Sequence, residues 1–213
     1  MRKATKEIVL ALLFPVLTLS LAVTSNAQDS GSNSPPPAAG NTIAPAKAKQ
    51  LIAGRARETV MALKNGDMQR LSAIAHPTKG VRFTPYNYVE PKEDLVFRPE
   101  QLKGLMTSKK RYLWGAYDGT GDPIRLTFKK YYKRFIYDVD FAGLKQVSYN
   151  DSLSTNPNYD NAYETYANAI VVEYYFSGSK RYDGMDWRSL RLVFQRKGGA
   201  WYLVGIMHNE WTI

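Results

Sequence analysis

The sequence predicts an α+β fold in which a curved antiparallel sheet wraps onto N-terminal helices, with extra helices in the middle of the chain. Apolar residues recur at helical spacing in 46–64 and again in 68–75, and towards the C-terminal end they line up at strand spacing instead. Two breaks, Asn65-Gly66-Asp67 and Gly198-Gly199, punctuate these segments as turns. Composition agrees: 213 residues, 44% hydrophobic and 23% charged, are ordinary for a globular chain.

The first residues read as something other than the domain. Arg2, Lys3 and Lys6 precede an apolar run from Ile8 to Val23, and Ser25-Asn26-Ala27 offers small residues for cleavage before Gln28. Residues 1–27 are therefore expected to be a signal peptide, which implies export to a periplasm, envelope or extracellular space. Residues 28–45 hold Ser30-Gly31-Ser32-Asn33-Ser34-Pro35-Pro36-Pro37 and almost nothing large to bury, the pattern of a disordered linker. The folded unit is expected over 46–213. Losing the leader removes three basic residues and Glu7, so the net charge of 29 − 19 = +10 becomes 26 − 18 = +8.

Ile52, Ala56, Val60 and Leu63 form one stripe of the first helix, which Asn65-Gly66 ends. Asp67 is placed to cap a second helix carrying Met68, Leu71, Ile74 and Ala75, and Pro77 stops it after His76. His76 reads as a cap for that helix end. Val81–Thr84 reads as a short strand, Pro99-Glu100 opens a helix running to about Thr107, and Arg111–Tyr117 is extended. In Thr127–Ile136 the aromatics Phe128, Tyr131, Tyr132 and Phe135 fall on one side of a helical wheel, with Lys129, Lys130, Lys133 and Arg134 on the other. Asn150–Asn161 is a polar loop.

A β-meander closes the chain, from Ala169–Phe176 through Trp187–Arg196 to Ala200–Glu210. A Gly198-Gly199 turn pairs Lys197 with Ala200. Regular counting then sets Phe194 opposite Leu203, Leu192 opposite Gly205 and Leu190 opposite Met207, on one face with Trp201. His208 and Glu210 fall on the other, convex face. Gly205 inside a strand marks a bend or bulge.

The two helices joined at Asn65-Gly66-Asp67, with the hairpin Leu190–Phe194 and Trp201–Ile206, resemble the nuclear-transport-factor-2-like superfamily. That resemblance implies a cystatin-like cone, a sheet curled around a hollow that serves enzymes in some members and non-catalytic binding in others. His76–Phe83 and Trp187–Ile213 are also similar to exported bacterial proteins, a likeness that brings no activity with it.

With no cysteine and two histidines, His76 and His208, thiol catalysis, zinc ribbons and multi-histidine centres are excluded, and nothing asks for a metal or cofactor. The Asp118–Asp122 segment and the Asp138/Asp140 pair read as turn chemistry. His208 and Glu210, two apart on a strand, are weak catalytic candidates. Arg82, Tyr86, Trp114, Tyr132, Met207, Asn209 and Trp211 are candidates for a pocket at the mouth of the cone. The leading expectation is a non-catalytic domain binding a small molecule or an envelope protein through that pocket or the convex sheet face, which could also pair two copies. One alternative is an isomerase- or lyase-type enzyme in the same pocket. Another is an envelope protein whose Lys129, Lys130, Lys133 and Arg134 touch anionic polymer or lipid headgroups. No nucleic-acid module is present, and once cleaved the chain is not expected to be an integral membrane protein.

Overall fold

The computed structural model describes residues 43–154 and 160–212. The expected leader, nearly all of the expected linker and the middle of the Asn150–Asn161 loop lie outside that span. Helix α1 (Pro45–Lys64) buries Ala48, Ile52, Ala56, Val60 and Leu63 on the stripe read from the sequence. Its chain turns at Gly66, whose φ of +62° suits a residue without a Cβ. Asp67 then accepts a hydrogen bond from the Arg70 amide at 2.9 Å, capping α2 (Met68–Ile74). A cap of this kind contributes about 1 kcal/mol.

Ala75, not His76, terminates α2. His76 Nδ1 instead accepts from the Thr78 and Lys79 amides at 3.3 and 2.9 Å, fixing the turn into β1 (Val81–Thr84). Strand β2 (Leu95–Phe97) pairs with β1 and leads into the short α3 (Pro99–Leu102), which ends earlier than its apolar pattern predicts. Next comes a separate hairpin of β3 (Arg111–Ala116) and β4 (Pro123–Thr127). Thr127 ends β4 and caps α4 (Phe128–Phe135) by accepting from the Lys130 amide. After β5 (Val147–Tyr149) and α5 (Ala162–Thr165), the chain closes with β6 (Ile170–Phe176), β7 (Arg188–Lys197) and β8 (Ala200–Glu210).

Six strands form the main sheet in the order β2-β1-β8-β7-β6-β5. It is mainly antiparallel, the exception being β1, which lies parallel to β8. One face, here the inner face, carries Phe83, Val172, Leu190, Leu192, Phe194, Leu203 and Ile206 against α1, α2, α4 and the hairpin. Each such side chain contributes about 1.5–3 kcal/mol through burial. The outer face holds a smaller cluster, including Val89, Ala162, Tyr166, Val171, Val193, Val204 and Met207.

The closing hairpin corrects the sequence register. Lys197 pairs with Ala200 and Phe194 with Leu203 as counted, but Val193 then pairs with Gly205, leaving Val204 as an extra residue. This bulge moves Leu192 opposite Ile206 and Leu190 opposite His208. Because side chains alternate along a strand, one inserted residue exchanges the two faces beyond it. His208 and Glu210 therefore turn to the inner face and Met207 and Asn209 to the outer, the reverse of the sequence expectation.

Among the described residues, no helix is long and apolar enough to cross a membrane.

Candidate functional site

Rings fill the space between the sheet and its helices. Trp114 stacks on Tyr131 with centroids 3.9 Å apart and planes at 14°, and Phe83 meets Phe128 edge-on at 5.6 Å. All four are essentially inaccessible to solvent. Trp114 Nε1 donates to the Leu126 carbonyl and the Tyr132 hydroxyl to that of Leu63, so their polar ends are engaged too.

At the edge of this face the bulge delivers His208 and Glu210 into an ion-pair cluster. Arg134 reaches both Glu210 oxygens at 2.8 and 2.5 Å. Arg188 holds Asp138 at 2.6 Å, and His208 Nε2 lies 3.4 Å from the same Asp138 oxygen. Burial alone raises the Asp138 carboxyl, but the His208 hydrogen bond and the charges of His208 and Arg188 outweigh it and hold the group below its ordinary range. That makes it a weaker base than a free aspartate. Asp138, His208 and Glu210 bring three potential donor atoms within 4.8 Å of one another. Both carboxylates, however, are matched by guanidinium groups, and a divalent cation has to displace them from a cluster already balanced in charge.

The seven pocket candidates do not converge. Trp114 and Tyr132 belong to the core and Tyr86 packs edge-on against Phe135, while Met207 and Asn209 lie on the outer face and Trp211 is exposed. Of the basic residues, Lys129, Lys130 and Lys133 are exposed, whereas Arg134 is committed to Glu210.

Of those seven, Arg82 lines a groove on the outer face. It pairs in register with Gly205, and the groove, of about 280 Å³, is lined by Lys79, Arg82, Val96, Thr165, Tyr166, Gln195 and Val204. The bulge builds its floor. Gly205 lets the Tyr166 ring lie close on the sheet, since a Cβ there would stand 2.8 Å from the tyrosine hydroxyl oxygen. Tyr166 follows α5, which is tied down through distant contacts. Asn161 exchanges two hydrogen bonds with the Val89 backbone at 2.8 and 2.9 Å. The fully buried Arg191 holds Asn87 at 2.8 Å and Asp160 at 2.7 Å.

The groove is cationic. Lys79 Nζ donates to Gln195 Oε1 at 2.7 Å, and Arg82 Nη1 faces the carbonyls of Pro91 and Asp94 at 3.1 and 3.3 Å. Neither is in an ion pair among the described residues, and no carboxylate lines the groove. Burial, with Lys79 and Lys197 nearby, keeps the neighbouring His76 ring below the usual imidazole range. The Tyr166 hydroxyl is buried from solvent, with the Arg82 guanidinium directed at it and the Asp94 charge nearby. Burial pushes its phenol far above the ordinary value, so it is a hydroxyl donor at neutral pH.

Sequence reasoning missed Lys79, Thr165, Tyr166 and Gln195. Only Gly205, read as a bulge marker, pointed towards them. Compared with known proteins, the chain matches no family model, no curated protein and no solved structure.

Proposed function

We propose that this domain binds a small anionic ligand on the outer face of its sheet and does not transform it. The carrying observation is the groove itself: Lys79 and Arg82 line it beside the Tyr166 ring with no carboxylate among the lining residues, and the nearby Asp94 carboxyl, which acts on Arg82, is engaged by the Thr84 hydroxyl and the Glu90 amide. Val96, Val204 and the tyrosine ring supply an apolar wall, so the fitting ligand is a carboxylate on a compact apolar body. A volume near 280 Å³ falls just below the usual span of ligand sites, about 300–1,000 Å³, and calls for something small.

The same reading takes the fold as a cone of the nuclear-transport-factor-2-like kind whose hollow is spent on aromatic packing. The bulge on β8 and the α1–α2 corner support it. Binding then passes to the convex face, in an exported protein, as the leader-like residues 1–27 predict.

Calorimetric titration with benzoate tests the reading. Nine non-hydrogen atoms at ~0.5 kcal/mol each give a Kd of about 0.5 mM. Neutral benzamide should bind at least tenfold more weakly, and Lys79→Met should lose a similar factor. Equal affinity for the two compounds, or no effect of Lys79→Met, overturns it.

A further inference from the structure

The groove leaves a second surface unexplained. The β3–β4 hairpin pairs only with itself, and its side chains alternate from Arg111 to Trp114 up to a register shift between Leu113 and Ala116. Trp114 and Ile124 point into the core, while Arg111, Leu113 and Arg125 stand exposed. Leu113 is 47% exposed and sits directly opposite Arg125 in the ladder. Arg111 lies over that pair, its Nη2 donating to the Arg125 carbonyl at 2.6 Å. Thr127 both ends β4 and caps α4, so exposed Lys129, Lys130 and Lys133 follow Arg125 within eight residues of chain.

None of these cations is in an ion pair among the described residues, although Arg55, Lys64, Arg70, Arg134, Arg188 and Arg191 all are. The nearest acids along the hairpin, Asp118 and Asp122, belong to its far turn. Asp118 stands seven residues, ~23 Å, from Arg111, and Asp122 three residues, ~10 Å, from Arg125, about one screening length at moderate salt. Solvated cations around a bare leucine match the chemistry of an anionic bilayer surface, where headgroups take the charges and the side chain enters the acyl boundary. A purely polyanionic partner has no use for Leu113.

We propose that this hairpin–helix surface docks the protein peripherally on anionic lipid bilayers. The proposal is independent of the outer-face groove. Each cation held near such a surface improves partitioning about fivefold, and one buried leucine about tenfold.

Cosedimentation of the exported form, residues 28–213, with vesicles tests it, using equimolar phosphatidylglycerol and phosphatidylcholine against phosphatidylcholine alone. Binding is expected only to the anionic vesicles, with release as salt rises from 50 to 500 mM. The triple substitution Lys129→Gln, Lys130→Gln, Lys133→Gln should weaken it about 100-fold. Leu113→Ser should weaken vesicle binding about tenfold while leaving binding to soluble polyphosphate unchanged. Equal binding to neutral vesicles overturns the proposal. So does an unaltered vesicle affinity for Leu113→Ser, which identifies the surface as a general polyanion site. Circular dichroism melting of both variants separates these outcomes from a failure to fold.

Discussion

Replacing Gly205 by alanine places a methyl carbon 2.8 Å from the Tyr166 hydroxyl oxygen, 3.1 Å from its ring carbon Cζ and 3.2 Å from Val193 Cγ2. Something must shift, and the neighbours are buried: Tyr166 retains 7% of its exposure and Val193 none. Overpacking of this kind costs about 1–3 kcal/mol. The nearest atom identifies its own remedy. Tyr166→Phe removes the oxygen together with its contact to Arg82, and should by itself cost no more than about 1 kcal/mol. Combined with Gly205→Ala it should recover about 0.5–2 kcal/mol of the loss, a coupling between touching residues. Urea denaturation of the four proteins in the cycle measures this directly. A neutral Gly205→Ala, or two substitutions that simply add, would refute the packing of Tyr166 on the bulge and with it the floor of the groove.

Two further substitutions probe the outer face. Burial pushes the Asp94 carboxyl from the usual 3.8 up to about 6, over the opposing hydrogen bonds from the Thr84 hydroxyl and the Glu90 amide. A carboxyl raised in the folded state binds its proton more tightly there, so stability falls as pH rises from about 4 to 6. Asp94→Asn keeps an acceptor for both donors, and should be more stable than the native chain by ~1–3 kcal/mol at pH 7.5 and no different near pH 4. An equal gain at both pH values in urea melts contradicts the assignment. Arg191→Ala leaves Asp160 and Asn87 without their shared donor and should cost about 3–5 kcal/mol, the usual penalty for breaking a buried pair. Benzoate affinity should fall with it, because α5 and Tyr166 lose their anchor; a stable variant with unchanged affinity sinks that link.

Local chemistry was legible in the sequence, and long-range chemistry was not. The α1 stripe, the Asp67 cap, the two-sided α4 and the Gly198-Gly199 turn all follow from neighbours within a few positions. The bulge lay at the limit. Gly205 marked it, but counting in strict alternation passed over Val204 and exchanged the faces of Met207, His208, Asn209 and Glu210. Ion pairs such as Arg188 with Asp138 join residues 50 positions apart, and no local pattern announces them. The groove is harder still: Lys79 meets Gln195 across 116 positions, only because β1 lies parallel to β8 at the edge of the expected meander.

The central claim is that the ligand side of this domain is the outer face, the inner one being filled by its own rings. Backbone amide shift mapping during a benzoate titration of the isotopically labelled protein tests it most directly. The account predicts that shifts concentrate at Lys79, Arg82, Thr165, Tyr166, Gln195 and Val204, with a common midpoint of about 0.5 mM. Shifts centred instead on Trp114, Tyr131 and Phe135 would contradict it, by showing that the aromatic core opens to admit the ligand.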